Sequence, residues 1–60
     1  MLISLKDKDG IVVLVNPKHV TTIFKSKTED FTRIYLAHGQ VSCMYIKETP
    51  EEIYVKLNNV

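Results

Sequence analysis

After Asp9-Gly10 the chain runs Ile-Val-Val-Leu-Val, positions 11 to 15, without one polar side chain. Successive strand residues point to opposite faces, so a strand of this kind is apolar on both and needs cover on both. Its β-branched residues favour strand over helix. Asp-Gly takes up the positive φ angles of a type I′ turn, which predicts a hairpin with the loosely alternating Leu2 to Lys6 segment. With Lys8 and Ile11 flanking a two-residue turn, Leu5 falls opposite Leu14 and Asp7 opposite Val12. One face then carries Ile3, Leu5, Val12 and Leu14; the other carries Ser4, Lys6, Ile11, Val13 and Val15.

Asn16-Pro17 ends this strand, because proline has no donor for a ladder and biases its predecessor away from helix. Val20 to Phe24 is again β-branched and aromatic, and Lys25 to Asp30 is a polar loop. Thr32 to Ala37 and Gln40 to Ile46 read as a second hairpin about a His38-Gly39 turn. Pairing outward from that turn sets Leu36 opposite Val41 and Ile34 opposite Cys43. These four and Tyr45 make an apolar face, and Arg33, Tyr35, Ser42 and Met44 share the other. Thr49-Pro50-Glu51-Glu52 is a capping box with proline at the first helical position, and it starts a helix whose stripe is Ile53, Leu57 and Val60, with Tyr54 beside it. The expected fold is α+β over residues 1–60. Strands at about 2–7, 11–15, 19–25, 32–37 and 40–46 form an antiparallel five-stranded twisted sheet or partly open barrel, followed by a C-terminal helix at about 50–58.

Sixty residues bury a modest share of their surface, and small domains compensate with disulfides, a metal or a partner chain. The single cysteine, Cys43, excludes an intrachain bridge and suits a reducing, cytoplasmic setting. Cys43, His19 and His38 lack the short spacings of a metal-ligand set, so neither metal nor cofactor is expected. That leaves a partner chain. Because a helix of about ten residues covers only part of a five-strand sheet, the expected contacts are Ile11, Val13 and Val15 together with Tyr35 and Met44. No segment reaches the length of a membrane span, and Met1 to Lys6 lacks the pattern of a leader peptide.

No constellation of these residues carries catalytic chemistry. Asp7 and Asp9 flank a turn, Glu51 and Glu52 complement a helix dipole, and neither histidine has a nucleophile or carboxylate at a recognisable spacing. The two glycines, Gly10 and Gly39, each sit in a turn rather than in a phosphate loop. Eight basic and seven acidic side chains produce no global field for nucleic acid. A local patch of Lys18, Lys25, Lys27 and Arg33 beside Tyr35 has the ingredients of single-strand binding, phosphate contact plus base stacking.

The order hairpin, Asn-Pro break, strand, polar loop, hairpin and capped helix resembles the short flagellar FlbD/SwrD-type motility proteins. The residues that carry the resemblance are Gly10, Val13, Leu14, Asn16-Pro17, Val20, Ile23, Ile34, Leu36, Gly39, Lys47-Glu48-Thr49, Glu51-Glu52-Ile53 and Leu57. It implies a non-catalytic protein. Met1-Leu2-Ile3 and Glu51-Glu52-Ile53-Tyr54 are also similar to the two ends of the carbon storage regulator family of dimeric RNA-binding proteins.

The leading expectation is therefore a non-catalytic interaction protein, itself a homo-oligomer, that binds and regulates or inhibits another protein. Its size and composition are analogous to those of inhibitors encoded by phages and mobile elements. The second expectation is an RNA- or single-strand-binding regulator acting through Lys25, Lys27, Arg33 and Tyr35. The third is a nucleotide-sequestering sponge with Lys18, His19 and Arg33 on the phosphate.

Overall fold

The computed structural model describes residues 1–38 and 41–59. The order is β1 (Ile3–Lys6), β2 (Val12–Val15), a short 3-10 turn (Pro17–His19), β3 (Val20–Phe24), β4 (Thr32–Leu36), β5 (Cys43–Ile46) and α1 (Pro50–Asn58). The chain is α+β with antiparallel pairing, as the sequence predicts, but the strands do not form one five-stranded sheet or a barrel. β1 and β2 make a two-stranded sheet, and β3, β4 and β5 make a three-stranded one in that order. The two meet at an isolated bridge between Asp7 and Ile46. Beside it the Lys8 amide donates to the Tyr45 carbonyl at 3.0 Å, and the Lys47 amide to the Lys6 carbonyl at 2.9 Å. Strands of four residues touching at one end leave the hairpin able to turn its apolar face onto the larger sheet. One core results, with Ile3, Leu5 and Val15 from the hairpin, Ile34 and Ile46 from the larger sheet, and Ile53 from the helix.

Both hairpin registers differ by one residue from the sequence expectation, and each slip exchanges faces. In the first, Leu5 lies opposite Val13 and Ile3 opposite Val15. Val13 and Val15 therefore point into the core, and Val15 is 5% exposed. Val12 and Leu14 take the outer face, at 56% and 64% exposure. The cause is the turn. A type I′ turn needs positive φ at both central residues, yet Gly10 (φ 83°) is alone in that region among the described residues. The loop instead has three residues, Lys8 to Gly10. The Gly10 amide returns to the Asp7 carbonyl at 3.0 Å, and the Asp7 amide donates to the Ile11 carbonyl at 2.9 Å. The Asp7 carboxylate completes the loop by accepting the Asp9 and Ile11 amides, each at 2.9 Å.

In the second hairpin Ile34 lies opposite Met44, and Arg33 opposite Tyr45. Met44 thus packs against the core instead of sharing a face with Arg33 and Tyr35. Tyr45 and Cys43 occupy that face in its place. This register directs Thr32, Ile34 and Ile46 inward, where all three are buried. Gly39, Gln40 and Val60, assigned above to a turn, a strand start and the helix stripe, lie outside the described residues.

The helix has the expected bounds, Pro50–Asn58, and the Thr49–Glu52 capping box is formed in both directions. The Glu52 amide donates to the Thr49 hydroxyl at 3.1 Å, and the Thr49 amide to the Glu52 carboxylate at 2.9 Å. Glu48, just before the helix, joins three elements. Its carboxylate accepts the Lys6 amide and pairs with Lys56, and its carbonyl accepts the Thr32 hydroxyl at 2.7 Å. No helix among the described residues is long and apolar enough to cross a membrane.

Candidate protein-contact edge

Hydrogen-bond parity along the first hairpin shows which backbone groups are used. The bond from the Asp7 amide to the Ile11 carbonyl starts an antiparallel ladder in which hydrogen-bonded pairs alternate with non-bonded pairs. The bonded pairs are therefore Leu5–Val13 and Ile3–Val15, while Lys6–Val12 and Ser4–Leu14 turn their N–H and C=O groups away from each other. On the β1 side three of those four outward groups have partners. The Lys6 amide goes to Glu48 at 3.1 Å, the Lys6 carbonyl to the Lys47 amide, and the Ser4 carbonyl to Lys56 Nζ at 2.9 Å. On the β2 side Val12 and Leu14 face outward along an edge that pairs with no other strand among the described residues.

Native sheets usually guard such an edge with charge, proline or a bulge. The other open edge, β3, is guarded in this way. Its ladder slips between Val20 and Thr22, and the Thr21 hydroxyl bonds back to the Tyr35 carbonyl at 3.1 Å. β2 has no such device: no charged residue occurs between Asp9 and Lys18. Beside it runs a groove of about 510 Å³, lined by Val13, Val15, Leu36, Val41 and Met44, with His19 and His38 at its polar side. The two imidazoles stand edge to face, with ring centroids 5.0 Å apart. They come together because the Ala37 amide bonds to the His19 carbonyl at 2.8 Å, which extends the β3–β4 pairing to His19 and sets His38 beside it.

Of the predicted contact residues, the structure gathers Val13, Val15 and Met44 along this groove. Ile11 is exposed at the turn end of the same edge. Tyr35 lies apart, on the opposite face of β4 beside Cys43. The residues that sequence reasoning missed are Val12 and Leu14, because the unbroken run at 11–15 gives no alternation from which to read their direction.

The basic residues do not gather. Arg33 and Phe24 are paired at one end of the β3–β4 ladder, and His19 adjoins the other end. Lys18, His19 and Arg33 therefore do not converge on one anion. Arg33 makes a two-pronged contact with Glu29, at 3.0 Å and 2.7 Å. The hydrogen bonds to Glu29 hold the guanidinium pKa above its ordinary range, and those from Arg33 hold the Glu29 carboxyl below its own. Lys25 Nζ is bonded to the Glu29 carbonyl at 3.0 Å, and Lys27 and Lys18 are exposed. Tyr45, absent from the predicted patch, has Arg33 and Lys8 over its ring at 5.3 Å and 5.7 Å. Both cations on that face already have partners within the chain.

Among the described residues no three metal-ligating side chains converge. Comparison with protein-family models, curated proteins and solved structures found no match, so the functional reading is built on the geometry above.

Proposed function

We propose that this chain is a non-catalytic interaction protein that takes an extended protein segment onto the edge of β2 and thereby regulates or inhibits its partner. The observation that supports the reading is the unguarded edge. Val12 and Leu14 present N–H and C=O groups in strand spacing, their side chains are exposed, and an apolar groove runs alongside. Strand addition uses such a surface: main-chain bonds supply affinity, and alternate side chains entering pockets supply selectivity. Nucleic-acid binding is the weaker reading, because Arg33 is neutralised by Glu29 and Lys25 is tied to the same loop.

Proline at position 14 provides the test. The Leu14 N–H points away from β1, so Leu14→Pro removes a donor from the outer edge while leaving the β1–β2 ladder bonds in place. The reading expects the wild-type chain to retain a discrete protein from extract of its native host, and Leu14→Pro, with an unchanged circular dichroism spectrum, to lose it. Equal retention by both, or retention of nothing, overturns it.

A further inference from the structure

We infer that the segment suited to the β2 edge is β2 of a second copy, paired antiparallel about a two-fold axis through Val13; this rests on the strand-addition reading and names its occupant. The parity argument selects the register. With Val13 opposite its own counterpart, Val12 of each copy meets Leu14 of the other. Both residues already direct N–H and C=O outward, so the two Val12–Leu14 pairs close four main-chain bonds with no change in either hairpin. A slip of one residue would turn these groups away from their partners.

The apolar side chains agree with the same register. On the inner side, Val13 and Ile11 of one copy come alongside the groove lined by Leu36, Val41 and Met44 of the other, so each groove receives an apolar occupant. On the outer side Val12, exposed in the single chain, meets the exposed Leu14 of the other copy, and each shields part of the other. At each end of the seam the Asn16-Pro17-Lys18 segment of one copy passes the Lys8-Asp9-Gly10 turn of the other. In that turn Lys8 is laid over Tyr45 and the Asp7 carboxylate is used within the loop. The exposed charges near each end of the seam are Lys8 and Asp9 of one copy and Lys18 of the other, so attraction between Asp9 and Lys18 is set against repulsion between Lys8 and Lys18. Stable complexes bury about 800 Å² per partner, close to a fifth of this chain's 4322 Å² and more than one short edge supplies.

Cross-linking tests the register. Residues opposite each other in a non-bonded antiparallel pair have Cα atoms about 4.5 Å apart, within disulfide range. In a Cys43→Ser background, Val13→Cys should oxidise to a covalent dimer. Val15→Cys should not, because Val15 lies opposite Ile11 of the copy. Sedimentation of the wild-type chain should show the mass rising from 6.9 kDa toward twice that value across the micromolar range. Over the same range amide exchange at Val12 and Leu14 should slow, and Leu14→Pro should abolish the rise. A mass that stays monomeric throughout, or cross-linking at Val15→Cys in preference to Val13→Cys, overturns the inference. A monomer that still captures a host protein in a Leu14→Pro-sensitive manner would overturn self-pairing alone and leave strand addition standing.

Discussion

Asp7 accepts the amide protons of Asp9 and Ile11 on one carboxylate oxygen, and this small arrangement decides which side of β2 faces the core. It closes a three-residue loop where Asp9-Gly10 alone suggests two, and the shift of one residue sends Val13 and Val15 inward and Val12 and Leu14 outward. Asp7→Ala leaves two amides to water and should cost on the order of 1 kcal/mol in urea unfolding. Asp7→Asn keeps an acceptor oxygen and should lose less than half of that. Thr32 shows how little such contacts reveal themselves in sequence. It sits in an ordinary strand pattern, yet it is buried at 1% exposure with its hydroxyl on the Glu48 carbonyl. Thr32→Val keeps the shape and leaves that carbonyl without its donor, a change expected to cost about 1–3 kcal/mol by the same measurement.

At the level of elements, the bounds and cap of the helix were legible, and the strands were legible in position but not in direction. Thr49, Pro50 and Glu52 act within one turn of chain, so their spacing alone specifies the cap and the start of α1. Thr49→Ala should lower stability by about 0.5–2 kcal/mol. The cap also predicts a pH dependence. Hydrogen bonds from the Thr49 backbone, then its side chain, and the nearby Lys56 charge lower the Glu52 pKa from its ordinary 4.5. A carboxyl with a depressed folded-state pKa contributes stability that is present above the unfolded value and lost as pH falls through the folded one. Glu29, lowered by Arg33, acts in the same direction. Urea midpoints should therefore fall below pH 4.5, and the double variant Glu52→Gln, Glu29→Gln should show a shallower acid decline. The strands behave differently because pairing register depends on a partner and a loop. An apolar run such as 11–15 satisfies either face, and the Ile34–Met44 pairing depends on which register buries Ile46. Of the contact residues named from sequence, Val13 and Val15 turn toward the core and Ile11 is exposed at the turn end of β2.

For the whole molecule, the decisive event is the division of five strands into two sheets that share one core. Ile53 of the helix is fully buried against residues of both. Ile53→Ala should cost about 2–5 kcal/mol. In a domain of this size that consumes much of the stability, so thermal unfolding should begin near ambient temperature. The division also changes what needs an outside cover. From sequence, Ile11, Val13 and Val15 formed the bare face; in the folded chain Val15 is buried and Val13 half-buried against the core, and the bare surface is the outer edge of β2. The amino-acid sequence by itself determined the number of strands, the bounds of α1 and its cap, and the uncharged character of the 11–15 segment, since each follows from local propensity or from residues within one turn. The registers, the two-sheet arrangement and the outward direction of the Val12 and Leu14 backbone groups come from folding in three dimensions. The first register follows from the Asp7 carboxylate, whose partners are two and four residues away but which the Asp9-Gly10 pair does not announce. The rest depend on contacts between residues far apart in the chain, made where the carbonyl of Glu48 and the side chain of Ile46 find their partners.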